Sequence, residues 1–156
     1  MKRLLIALAV VIGMLALPAT AAATPRTGTF IAHLTGDQET PPNDSLAQGE
    51  VILHLNADGT MSWKLIVANI DNVFMAHIHI AKRGVAGPVR QWLFPAGGPP
   101  PHLLLGRTDG ILSEGTFTPT PEILTALESG NAYANVHTTL LPAGEIRGQL
   151  REIGSD

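Results

Sequence analysis

The chain has 156 residues, of which 45% are hydrophobic and 15% charged, with a formal charge of −3, six histidines and no cysteine. Without cysteine there can be no disulfide, no thiolate metal ligand and no cysteine nucleophile, and the acidic balance argues against nucleic acid as a partner. Sixteen glycines and twelve prolines fall between short apolar runs, the punctuation of many turns rather than of long helices, so an all-β domain is expected.

At the amino end, Lys2 and Arg3 precede an apolar stretch from Leu4 to Leu17, a break at Pro18 and the small residues Ala21-Ala22-Ala23. That is the pattern of a secretory signal peptide over residues 1–23. Its apolar core is 14 residues long, short of the ~20 that a membrane-spanning helix needs, and no later stretch offers a span. The expected product is an exported protein, periplasmic or extracellular, in which residues 24–156 form a single domain. Losing Lys2 and Arg3 takes its formal charge from −3 to −5.

Residues 27–34, "TGTFIAHL", alternate Phe30, Ala32 and Leu34 against Thr29, Ile31 and His33, and read as a first strand. A polar, turn-rich loop follows. "GEVILHLNADGTMSWKLIVANI" then gives a hairpin turning at Asn56-Ala57-Asp58-Gly59, with Val51, Leu53 and Leu55 in phase on one strand and Met61, Trp63, Leu65 and Val67 on the next. After Asp71-Asn72 comes "FMAHIHIAKRG", a strand over 74–80, and then a turn at Gly84 and Gly87-Pro88. A short strand over 89–94 leads into the proline-rich loop that ends at His102, and another strand is expected near 108–117. Thr120 can cap a helix that starts at Pro121, presents Ile123, Leu124 and Leu127 as an apolar stripe and stops at Gly130. Two closing strands, "NAYANVHT" and "GEIRGQLR", are linked through residues 141–144. Seven or eight short antiparallel strands and one short helix fit a sandwich or a closed barrel equally well.

Alternation in strand 74–80 sends Phe74, Ala76, Ile78 and Ile80 inward and leaves Met75, His77 and His79 on the opposite face. The same parity in "AYANVHT" turns Ala132, Ala134 and Val136 inward and leaves Tyr133, Asn135 and His137 opposite. Two residues apart on a strand, His77 and His79 are separated by about 6.5–7 Å at Cα, from a rise of ~3.3 Å per residue, a span that two imidazoles can close onto one ion. With His137 from a neighbouring strand, the set suits copper, or less well zinc. Met75 could add a soft ligand, His102 could swing in from its loop, and Asn135, Glu145 and Arg147 are further candidates near the site, Arg147 as an anion-attracting charge. His33 and His54 lie opposite clear apolar faces and read as surface residues. No serine sits in a nucleophile elbow and no glycine loop for phosphate is present, and neither Asp37 with Glu39 nor Glu50 with Glu145 has the spacing of a catalytic pair.

Four stretches in order, "LTGDQETPP", "AQGEVILHLNADG", "AHIHIAKRGVAGPV" and "NAYANVHTTLLPAGEIRGQL", resemble the CHRD family, the domain named after chordin and found in many secreted bacterial proteins. That resemblance implies an antiparallel Greek-key β-sandwich or barrel, of immunoglobulin-like or Cu,Zn superoxide dismutase-like type, acting as a binding module. The His77/His79 strand and the His137 strand also resemble the copper strands of Cu,Zn superoxide dismutase, whose copper lies on the outer face of its barrel. Gly-Pro-His does not follow His79, and the zinc-loop ligands and the disulfide of that enzyme have no counterpart.

Three readings follow from the sequence. The first is a secreted binding module with a surface copper site on His77, His79 and His137. The second is a metal-free interaction domain outside the cytoplasm, with an unidentified protein partner, in which the same imidazoles hold loops. The third is a dismutase-like copper oxidoreductase. The residues motivate binding more than turnover.

Overall fold

The structure is a computed structural model that describes residues 26–99 and 101–154; the signal-peptide segment lies outside the described residues. Eight strands and one α-helix follow in the order β1 (Gly28–Thr35), β2 (Gln48–Leu55), β3 (Met61–Ile80), β4 (Val89–Phe94), β5 (Leu104–Phe117), α1 (Pro121–Glu128), β6 (Ala132–Thr138), β7 (Ile146–Gln149) and β8 (Arg151–Ile153). A 3-10 turn at Gly36–Gln38 leads out of β1. All pairings are antiparallel. Hydrogen bonding runs β2-β1-β7-β6-β3, and β3 pairs again with β2, which closes five strands into a barrel. Closure removes the exposed edges that an open sheet would carry.

The expected alternation of β1, β2 and the first half of β3 appears directly in burial. Phe30, Ala32 and Leu34, Val51, Leu53 and Leu55, and Met61, Trp63, Leu65 and Val67 all enter the core. Fully burying each large apolar side chain contributes about 1.5–3 kcal/mol, and slipping any of these strands by one residue would expose the whole set. The helix forms where its signals stand: Thr120 Oγ1 accepts from the Ile123 amide, Pro121 opens the first turn, and Ile123, Ala126 and Leu127 are buried.

Three expectations are corrected. The strands read as separate on either side of Asp71-Asn72 are one strand of 20 residues, β3. Asn69 and Asn72 take φ of 59° and 53°, left-handed conformations that asparagine tolerates better than most residues, and the ladder is bulged there. Over Met61–Val67 the strand lies between β2 and β5; beyond Val73 it lies between β6 and β4. A further register shift between Val73 and Met75 changes parity: Val73 is buried in the core, while the ring of Phe74, expected inward, stands 6.3 Å from the His137 ring on the other side. At the carboxyl end, the second closing strand divides into β7 and β8 where the Leu150 amide bonds Ala132 O.

β7 approaches β1 closely because residue 148 has no side chain. A Cβ there would collide with the His33 carbonyl. Gly148→Ala should therefore cost about 3 kcal/mol through overpacking, lowering Tm by roughly 10 °C in a thermal melt followed by circular dichroism.

Candidate metal centre

The second half of β3 and the whole of β6 are buried on both faces. Ala76, Ile78, Ala134 and Val136 face the core, and His77, His79, Tyr133, Asn135 and His137 lie beneath a cover of loops. A surface site was expected, since alternation identifies the face turned from the core. The histidines are instead 2%, 7% and 5% exposed, because the turn after β1 and the loops at 81–88 and 139–145 fold back over this face.

Register brings the three together. His77 is opposite Asn135, His79 opposite Tyr133, and Met75 opposite His137. One nitrogen from each of His77, His79 and His137 lies within 4.8 Å of the others. The loops fix which nitrogens these are. His79 Nδ1 is 2.8 Å from the Gly87 carbonyl and His137 Nδ1 is 3.0 Å from the Pro142 carbonyl. A carbonyl only accepts, so both Nδ1 atoms carry the proton and both Nε2 atoms keep their lone pairs. Metal-ligating histidines are oriented by such carbonyl contacts.

Between the imidazoles, a proton on His77 Nδ1 can donate to His137 Nε2, which leaves Nε2 of His77 bare. His137 Nε2 is 3.2 Å from His77 Nδ1 and 3.0 Å from Asn135 Oδ1, while His79 Nε2 and His77 Nε2 are buried with no hydrogen-bond partner. The Asn135 side chain also lies within reach of the Glu39 carboxylate and helps to hold its pKa down against burial. Nitrogens bonded at ~2.0–2.1 Å to one tetrahedral ion lie about 3.3 Å apart, close to the separation of His77 Nδ1 from His137 Nε2. The donor set fits a cation.

Protonation supports the same assignment. Burial, with the neighbouring His137 and His79 rings, lowers the His77 pKa to about 3; burial lowers His137 to about 4 against the Pro142 hydrogen bond, and burial lowers His79 as well. All three are neutral at pH 7 and need shed no proton to ligate. Aromatic rings brace them: Trp92 stands edge-on to His77 at 4.3 Å, Tyr133 stacks on His79 at 4.8 Å, and the Arg147 guanidinium covers the other face of Tyr133 at 3.5 Å.

The other sequence candidates separate. Asn135 is at the centre, 4% exposed. Met75 is half-buried beside His137 in the ladder. His102 is exposed, its ring 6.3 Å from Phe94 and its amide on Phe74 O. Glu145 is buried but spent on the hydroxyls of Ser45, at 2.7 Å, and Thr138, at 2.5 Å. Arg147, read as a free charge, is 2% exposed and donates to Thr40 Oγ1 and the carbonyls of Lys82 and Val85; it clamps loops over the site. Glu39, which sequence spacing passed over, is 7% exposed and meets the centre through Asn135. Its signal was slight: the one glutamate in a turn-rich stretch that also carries Asp37 and Asp44.

Residues 30–150 match the family model described as CHRD domain. No curated protein and no solved structure matches the chain.

Proposed function

The chain belongs to the CHRD domain family, and from that premise we propose that it is an exported binding module that holds one copper ion on His77, His79 and His137. One observation carries the proposal: backbone carbonyls align two of three clustered imidazoles so that their Nε2 atoms keep lone pairs, and Nε2 of His77 and of His79 is buried with no hydrogen-bond partner. A structural role alone would leave those nitrogens desolvated for no return, a cost of about 1–3 kcal/mol each.

Copper is favoured over zinc because an all-nitrogen set follows the affinity order that places Cu(II) above Zn(II), with neither thiolate nor carboxylate among the three. When bound, copper would supply a Lewis-acidic, redox-capable centre, and the protein's part is to hold and enclose it. Burial beneath three loops suits storage or transfer better than turnover of a freely diffusing substrate. No helix among the described residues is long and apolar enough to cross a membrane, in keeping with a domain that works outside the cytoplasm once residues 1–23 are removed.

Titrating metal-free protein with Cu(II) and recording electron paramagnetic resonance should show one equivalent bound in a nitrogen-rich environment. A spectrum of free or nonspecific copper throughout the titration would overturn the assignment and leave the histidines as supports for the loops of a metal-free interaction domain.

A further inference from the structure

A buried metal centre needs a way in. Between the turn after β1 and the 81–88 loop lies a cavity of about 370 Å³ whose lining includes Gln38, Glu39, Thr40, Arg83, Arg147 and Gln149. No histidine lines it. Glu39 does, yet Glu39 is 93% buried by its 7% exposure, and its Oε1 is enclosed without a hydrogen-bond partner. The carboxylate occupies the space where a Cβ on residue 144 would stand, and Gly144, at φ 139°, leaves that space free. From there the Asn135 amide connects Glu39 to His137 Nε2.

Three other sides are held by contacts at the ligands. The Trp92 ring stands against His77, and the loops above His79 and His137 are tied to the ring nitrogens through Gly87 and Pro142. An ion entering on those sides would have to break the contacts that orient the ligands. Coming through the cavity it breaks none of these, and it meets a carboxylate oxygen that lacks a donor.

We propose that this cavity is the route by which the metal reaches the centre and that Glu39 is the ligand it meets on the way, passing the ion beside Asn135 to the histidines. This rests on the metal-binding reading above. Glu39 then governs how fast the site fills, while the imidazoles govern how tightly it holds.

The test is stopped-flow mixing of metal-free protein with Cu(II) alone, followed by quenching of tryptophan fluorescence, for which Trp92 beside His77 is the reporter. Glu39→Gln keeps the shape and removes the charge; it should fill to the same stoichiometry about tenfold more slowly. Arg83 is exposed at the mouth, bonded to Gln38 Oε1 at 3.0 Å. Arg83→Ala removes a like charge from the cation's path and should speed filling by about twofold or more. Wild-type filling rates in both variants would overturn the route and leave copper binding intact. No copper uptake by the wild-type protein would overturn the binding reading and the route with it. Should Glu39→Gln fail to fold, the exposed Arg83 decides alone: an unchanged rate overturns the route.

Discussion

Replacing His79 with alanine should weaken copper binding by more than about 100-fold, since changing even the groups behind a metal ligand typically costs 10- to 100-fold. His79 Nε2 is the most clearly committed donor of the set: its Nδ1 is fixed by Gly87 O, its ring is stacked on Tyr133, and Nε2 is enclosed with no partner. His137→Ala should do the same. Two controls define the site. His102→Ala, on an exposed residue away from the cluster, should leave affinity unchanged within error, and Met75→Leu should shift it by less than about tenfold, the change expected of a neighbour rather than a ligand. The measurement is competition against a chelator of known copper affinity. Equal affinity in His79→Ala and wild type would remove His79 from the site. A loss in His102→Ala as large as in His79→Ala would move the centre to the proline-rich loop.

The metal-free protein should also lose a few kcal/mol of stability on acidification from pH 7 to pH 4.5. The sign follows from the histidines. Their ordinary pKa is 6.5, and in the folded protein burial lowers all three, His77 to about 3 and His137 to about 4. Below pH 6.5 the unfolded chain therefore binds protons that the folded chain refuses. Stability is fully present above 6.5 and falls with pH until the folded-state values are reached. Glu39 acts in the opposite direction, because burial raises its pKa and its protonation on acidification favours the folded form; three imidazoles outweigh one carboxyl. Denaturant midpoints at the two pH values check this, and His77→Gln should reduce the difference. Bound copper should raise both midpoints, since an ion that binds only the folded state stabilises it by mass action. A midpoint that does not move between pH 7 and 4.5 would mean that the imidazoles are solvated.

Much of this centre was legible in the sequence for a local reason. Alternation needs only the chain's own period, so His77, His79 and His137 could be assigned to one side without knowing the fold, and Thr120-Pro121 announced a helix start in the same way. What alternation cannot report is what lies over the non-core face. The loops that bury it arrive from residues 36–45, 81–88 and 139–145, far apart in the chain, and their closure depends on Arg147 reaching carbonyls some 60 residues away. Phe74 was misplaced because period-2 reasoning assumes an unbroken strand, and the register shift between Val73 and Met75 breaks the count without ending the strand.

The pairing of β8 with β1, Thr29 opposite Ile153, has a consequence for the order of events as the protein is made. β1 is among the first segments to emerge, yet its partners β7 and β8 come more than 100 residues later, so the ring of strands cannot shut until nearly all of the chain has been released. Such long-range closure is slow compared with forming a local hairpin. Arg147, which draws two loops over the imidazoles, arrives with that last segment. A half-made chain therefore shows its histidines without the lid that aligns them, and the arrangement that could hold a metal ion exists only after folding is complete, in whichever compartment folding ends.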